Sequence, residues 1–388
     1  MNILFGFTWV FNPSLGGTER VTDILARQLR DRGHNIYYLH TVNNRDENYD
    51  CPAILDYYIP ENIVDTEAGK LLYEKFLIEH KIDVVINQGG LMGTCKFFTN
   101  TNVCKKIVVI HFDPQYGYNH FFNGLWALKD TSFIEKLKRI ARCTDYYRRK
   151  KNHYNYLNSL YSYWFKTADR VCLLSDYFIS DILKVCDSVD TSKLVSINNP
   201  NTFNNVYNSD CNRKKQVLWI GRLDMKQKRP DRIIRIWKRI YKSFPDWNLI
   251  IAGDGEMREY LESLTENIPS IKLVGRVDVK PYYRESQIIC MTSTIEGWGM
   301  VLTEAISYGV IPLAFTSFNS INDIIKSPEQ LIRSFNIKEY AEKLSQMMRN
   351  DVLRQKIRNK GYEIIQNYSA NLICDKWESI IQTIIKEK

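Results

Sequence analysis

The sequence predicts an α/β protein built as two doubly wound parallel-sheet domains. Three observations carry that expectation. The chain opens with an apolar run, a glycine-bearing loop, an amphipathic helix and a second apolar run, the pattern of a β-α-β start. A second series of short apolar runs begins at Gln216 after a polar stretch. A length of 388 residues is long for one core and comfortable for two.

In order, Asn2 to Val10 is the expected first strand; it has neither the basic lead-in nor the small-residue cleavage site of a secretion signal. Asn12 to Thr18 supplies the turn. Val21, Ile24, Leu25 and Leu29 share one helix face, with Thr18 as the expected N-cap and Gly33 as the stop. Gly16-Gly17 is no dinucleotide fingerprint, since G-x-G-x-x-G is absent, and a bare turn is one reading of the pair. Strands are expected at Asn35 to His40, Val84 to Asn87 and Lys106 to His111. His111, at a strand's carboxyl end, stands where substrate is met in such sheets, although a structural histidine fits the same spacing.

From Phe133 to Arg170 the chain interleaves Lys136, Lys138, Arg139, Arg142, Arg148, Arg149, Lys150 and Lys151 with tyrosines and Trp164. That mixture suits an anionic bilayer surface or a polyanionic acceptor, and equally a solvated basic face. Asn201 to Lys215 is polar and asparagine-rich, as a linker is. Gln216 to Ile220 then starts a second sheet. Ile233, Trp237, Ile240, Tyr241 and Phe244 mark the buried side of the next helix, and Leu249 to Gly255, Ile271 to Arg276, Gln287 to Thr292 and Val310 to Phe315 are later strands. Leu372, Trp377, Ile380, Ile381 and Ile384 make the end an amphipathic helix.

The stretch Ser293 to Gly309 organises the rest. It sets Glu296 in a strand-to-helix loop and Glu304 on the helix that follows from about Val301, with Gly297 and Gly299 between them. Two such carboxylates can grip a polyol, while helix-terminal amides attract an anion beyond the strand ends. With Trp298 in place of the usual Phe, the segment resembles the E-G-F-G-x-x-x-x-E-A signature of retaining GT-B glycosyltransferases, glycosyltransferase family 4. Gly221-Arg222-Leu-Asp-Met-Lys-Gln-Lys228 resembles that family's G-R-(x5)-K donor-diphosphate clamp, with Lys226 and Arg229 as neighbours that blur the register of Lys228. Gly16 and Gly17 resemble its N-terminal glycine loop, which faces donor phosphates and acceptor. His111 matches its histidine that contacts the acceptor or the transferring sugar. Ser196 to Thr202 resembles its interdomain connection, with Pro200 where glycine is usual.

The resemblance implies GT-B architecture: two Rossmann-like domains facing a central cleft. Residues 1–200 would bind acceptor, 201–215 link, 216–365 bind the nucleotide sugar, and 366–388 return as a helix to the first domain. Glu296, His111, Arg222 and Lys228 would carry catalysis. The donor, such as a UDP- or GDP-sugar, would meet Gly17, Arg222, Lys228, Val277, Glu296, Gly299, Met300, Val301 and Glu304; the acceptor would meet Gly16, Gly17 and His111. A glycan or lipid-linked saccharide acceptor, retention at the anomeric carbon, no cofactor and no metal follow from the same likeness, as does a role in bacterial surface polysaccharide synthesis. Two alternatives stay open: a same-fold nucleotide-sugar epimerase, and a non-catalytic sugar or nucleic-acid binder.

Composition bounds these readings. Hydrophobic residues at 44% and charged residues at 25% are ordinary for a soluble globular protein. Lys and Arg exceed Asp and Glu by 53 minus 44, or +9, which suits acidic small molecules, an anionic membrane surface or nucleic acid; composition does not choose among these, and nucleic acid is not the expected partner. No apolar run approaches the ~20 residues of a spanning helix. Nine cysteines without a C-x-x-C pair suit reduced thiols, and the expected location is the cytoplasm or the inner face of its membrane.

Overall fold

Short β-branched runs closed by glycine, asparagine or aspartate become parallel strands in both halves of the chain. The structure, a computed structural model, describes residues 1–388 apart from 10, 15, 43–48, 117, 119–136, 138–140, 142, 143, 204–206, 208–212 and 388. The expectations placed on Val10, Leu15, Phe133, Lys136, Lys138, Arg139 and Arg142, and on much of the linker, lie outside the described residues. The chain divides into two units. The first comprises Met1–Gln115, His153–Thr202 and Tyr368–Lys388, the second Tyr116–Asn152 and Phe203–Asn367.

The first unit holds strands β1 (Asn2–Phe7), β2 (Asn35–His40), β3 (Leu55–Tyr58), β4 (Val84–Asn87), β5 (Lys105–Ile110), β6 (Arg170–Leu173) and β7 (Leu194–Ser196), in the order β3-β2-β1-β4-β5-β6-β7. All pairs are parallel. The order reverses between β1 and β4, where Ile3 pairs with Val84. Burial on both faces explains the continuous apolar strands: Ile3, Leu4, Phe5, Val84, Val85, Ile86 and Ile107 are fully buried. Within this unit the C-terminal helix Ala370–Lys386 is tied to the first helix, Gly17–Asp31, where Arg32 pairs with Asp375 at 2.6 Å and with Glu378.

The second unit holds β8 (Gln216–Ile220), β9 (Asn248–Ala252), β10 (Ile271–Gly275), β11 (Ile288–Met291), β12 (Ile311–Phe315) and β13 (Leu331–Ile332), in the order β10-β9-β8-β11-β12-β13. Every pair is again parallel, and Val217 faces Ile288 at the reversal between β8 and β11. Trp219, Ile233, Trp237, Leu249, Leu313 and Tyr340 pack the core between this sheet and its helices. Each such side chain contributes about 1.5–3 kcal/mol on burial. Both units are Rossmann-like α/β folds.

The structure corrects several local expectations. The first strand stops at Phe7, and β5 stops at Ile110, so His111 lies just beyond it. The short β3 and β13 lacked a run long enough to stand out. Gly16, not Thr18, is the N-cap: the chain enters extended at Gly16, with φ −145° and ψ 164°, so the helix already begins at Gly17. Gly33 does end that helix, at φ +87°, with the His34 N–H donating to the Leu29 carbonyl at 3.1 Å.

Candidate active site

The strand order of the second sheet reverses between β8 and β11, and the carboxyl ends of the strands at such a reversal are where doubly wound sheets take ligands. Two loops line it. In the loop after β8 the buried Asp224 carboxylate is the organiser: Oδ1 accepts the amides of Lys226 at 3.1 Å, Gln227 at 2.6 Å and Lys228 at 3.3 Å, and Oδ2 accepts Arg222 Nε at 3.2 Å. Arg229 then takes the left-handed conformation, φ 53°, before Pro230 opens the next helix. Its guanidinium grips Asp231 through two buried bonds of 2.8 and 2.9 Å. Although burial works against it, that pairing holds the Asp231 carboxyl below its usual range.

The loop after β11 is stitched to the first. The Thr292 hydroxyl donates to the Arg229 carbonyl at 2.9 Å and accepts from Trp219 Nε1 at 2.9 Å, while the Thr294 amide donates to the Gln227 carbonyl at 2.7 Å. Further on, Ser317 Oγ donates to the Ser293 carbonyl at 2.8 Å and Ser320 Oγ to the Gly297 carbonyl at 2.7 Å. Trp298 is buried, which explains why a large aromatic belongs there. Gly299 stands at φ +83° as the N-cap of the helix Met300–Ser307, a conformation that leaves its first amides, including those of Met300 and Val301, at the helix mouth.

These loops bring Glu296 against Lys228. Lys228 Nζ lies 2.6 Å from Glu296 Oε1, Gln227 Nε2 donates to Oε2 at 3.3 Å, and Gln227 Oε1 accepts from Arg222 Nη2 at 3.3 Å. The result is one hydrogen-bonded set, Arg222–Gln227–Glu296–Lys228. Its carboxylate side chain is only 7% exposed, whereas the Arg222 side chain is 66% exposed and available to an incoming anion. The three neighbouring cations differ in their surroundings: Lys228 reaches Glu296, Arg229 grips Asp231 and Lys226 is exposed. Glu304 is buried on the helix Met300–Ser307 and accepts the Tyr283 hydroxyl at 2.9 Å. Val277 is half-buried just past β10, beside an exposed Arg276.

The other predicted residues belong to the first unit. His111 Nε2 bonds to Gln88 Oε1, and Nδ1 is buried without a partner among the described residues. Burial lowers its pKa to about 3, so the ring is neutral. Gly16 admits the Glu19 carboxylate: a Cβ there would stand 2.1 Å from Glu19 Oε2. The mouth of the first helix is thus faced by its own acid, whose pKa burial raises. Among the described residues no three His, Cys, Asp or Glu side chains gather as metal ligands.

Residues 208–364 match the family described as glycosyl transferases group 1. That segment contains the whole Arg222–Gln227–Glu296–Lys228 set. The chain is 29% identical over 390 residues to an uncharacterized glycosyltransferase of Haemophilus influenzae, covering 97% of this chain and 99% of that protein. It is 32% identical over 188 residues to the amylovoran biosynthesis glycosyltransferase AmsD of Erwinia amylovora, covering 47% of this chain and 52% of AmsD. The crystal structure of TarM superposes with a TM-score of 0.73 at 15% identity, covering 98% of this chain and 99% of TarM. Anabaena HepE in complex with UDP does so with a TM-score of 0.73 at 14% identity, covering 99% of this chain and all of HepE. The fold is that of GT-B glycosyltransferases, and the likenesses together support glycosyltransferase activity.

Four residues of the two units escape a reading by spacing. Gln227 sits inside the clamp motif but carries no charge to mark it. Tyr283, Gln88 and Glu19 act only through contacts that the fold creates.

Proposed function

We propose that the protein is a retaining glycosyltransferase that moves a hexose from a nucleoside-diphosphate sugar to a glycan or lipid-linked saccharide in bacterial surface polysaccharide synthesis. The observation that carries this reading is the joined set Arg222–Gln227–Glu296–Lys228 at the reversal of the second sheet, inside the matched segment. The difficult part of such a reaction is expelling the diphosphate while positive charge grows at the anomeric carbon. Fixed donors aimed at the leaving group contribute most. Arg222 and Lys228 would take the diphosphate with the amides of Gly299, Met300 and Val301, and Glu296 would hold hydroxyls of the transferring sugar. Glu304 would hold the ribose diol, and Val277 would border the base. Gly16, Gly17 and the neutral His111 would serve donor and acceptor from the first unit, with the departing phosphate accepting the proton of the acceptor hydroxyl.

No divalent metal or cofactor is needed in this reading, because the two cations supply the charge a metal would bring. The site of action would be the cytoplasmic side of the membrane. Both sequence relatives named above are glycosyltransferases by name, which weighs against the epimerase alternative. The test is transfer of labelled sugar from UDP- and GDP-sugars to saccharide-lipids extracted from bacterial membranes, with and without chelator. Wild type should label an acceptor in both conditions and Glu296→Gln should not. Full activity in Glu296→Gln contradicts the site, and activity that vanishes with chelator and returns with magnesium contradicts the cationic clamp.

A further inference from the structure

A cleft of about 500 Å³ lies in the first unit, at the amino end of β5, bordered by the helix Glu67–Glu79, the turn after Gly93–Thr99 and the last turn of the helix Tyr146–Thr167. That volume suits a small molecule. The charge of the cleft is one-sided: Lys70, Lys106 and Lys166 line it, and Glu74 is the one carboxylate among its described lining residues. Lys106 Nζ donates to the Thr101 carbonyl at 2.9 Å, which holds the ammonium in place and leaves it two further N–H groups. Lys70 and Lys166 make no ion pair or side-chain hydrogen bond among the described residues. Asp169 is engaged beside the cleft, accepting the Lys106 amide at 2.8 Å and lying 3.5 Å from Lys105 Nζ. Like charges gathered in this way favour an anion between them. Asn100 and Asn102 line the same cleft and are exposed, with side-chain amides that make no hydrogen bond among the described residues. An amide both donates and accepts, which suits hydroxyl groups. Lys106 stands near the start of β5 and His111 just past its end, five residues or ~16 Å along the strand. The cleft is therefore at the opposite end of the sheet from the carboxyl ends, where substrate is expected.

We propose that this cleft is a second ligand site, separate from the one that would carry transfer, and that it takes a phosphate-bearing polyol such as a sugar phosphate. The phosphate would lie among the three ammoniums, each able to give it a charge-assisted hydrogen bond. The hydroxyls would meet the amides of Asn100 and Asn102. Inorganic phosphate supplies the charge without the hydroxyls and a neutral sugar the hydroxyls without the charge, so neither fills both halves of the cleft. A bound ligand would also join two helices and a turn that are far apart in sequence, and binding to the folded state alone raises the unfolding temperature.

The experiment titrates glucose 1-phosphate, inorganic phosphate and glucose into the full chain, as wild type, Arg222→Ala and the double variant Lys70→Gln/Lys166→Gln, with thermal unfolding recorded for each. Neither substituted lysine is bonded among the described residues, so the double variant should unfold like wild type when no ligand is present. Glucose 1-phosphate should bind wild type and Arg222→Ala alike, more tightly than either other probe, and less tightly as salt rises. The double variant should bind it about tenfold or more weakly, as expected when hydrogen bonds to a charged group are lost. Binding that falls in Arg222→Ala and persists in the double variant would put the phosphate in the nucleotide site and overturn the proposal. Inorganic phosphate binding as tightly as glucose 1-phosphate would overturn the part given to Asn100 and Asn102. A final arm sediments the same proteins with phosphatidylglycerol vesicles. Lysine-dependent sedimentation without binding of glucose 1-phosphate would assign the cleft to a lipid headgroup and overturn the soluble ligand, as would the absence of binding to any probe.

Discussion

At the scale of single residues, the site is a short chain of charge in which each member fixes the next. Glu296 is held at both oxygens by its neighbours, Lys228 at 2.6 Å and Gln227 at 3.3 Å, so it is aimed before any ligand arrives. Arg222 sits at the exposed end of that chain, held among the described residues by Asp224 and Gln227. Arg222→Ala should therefore leave stability within about 0.5 kcal/mol, as surface substitutions do. Its cost should appear in turnover, about 10²- to 10³-fold, the range for losing one preorganised electrostatic donor. Steady-state kinetics beside a denaturation curve reads both. Lys228→Met should differ in kind, because it strips the partner from a nearly buried carboxylate and so should lower stability as well as rate. A Lys228→Met variant with unchanged unfolding would show that the pair does not form.

At the scale of elements, the loops depend on backbone shapes that few residues accept. Gly253, at φ +141°, ends β9 where a Cβ would stand 1.9 Å from the Gly221 carbonyl oxygen, so Gly253→Ala should displace the start of the Arg222 loop. Loss of donor affinity in that variant, though Gly253 carries no side chain, is the expected readout. The turn after β5 carries two opposed titrations. Burial lowers His111 to about 3, so its contribution is present above its ordinary pKa of ~6.5 and fades as pH falls toward 3. Burial raises Asp113 to about 7, with Asp181 adding to the shift, so its contribution is present below ~4 and fades as pH rises toward 7. Between these limits the slopes oppose each other. Asp113→Asn removes one of them, and its Tm should fall more steeply than that of wild type on acidification from about pH 7 to about pH 5. Parallel curves would contradict the burial of Asp113.

The helix Tyr146–Thr167 carries Arg148, Arg149, Lys150 and Lys151 near its start and buries Leu157, Leu160, Tyr161 and Trp164 further on. No helix among the described residues is long and apolar enough to cross a membrane. If the basic end docks to lipid, sedimentation with vesicles should rise with anionic lipid and fall with salt. Binding indifferent to both would leave that end as a solvated face.

At the scale of the whole molecule, local signals were legible and long-range ones were not. The β11–turn–helix segment showed itself because its strand, glycines and acids lie within about twenty consecutive positions, and the predicted Glu296 and Lys228 do meet. Thr18 misled because threonine is a good cap, whereas the chain's path makes Gly16 the cap. Gln227 and Tyr283 were invisible for a different reason: neutral side chains acquire a role only when strand order brings a distant carboxylate to them. The second unit is expected to bind a nucleoside-diphosphate sugar through the Arg222–Gln227–Glu296–Lys228 set. The most direct measurement is thermal unfolding of wild type and Arg222→Ala across a panel of UDP- and GDP-sugars. A ligand at a hundred times its dissociation constant adds about 2.7 kcal/mol. At least one nucleotide sugar should raise the wild-type Tm by several degrees and leave Arg222→Ala nearly unmoved; equal stabilisation of both proteins, or of neither by any member of the panel, would contradict the account.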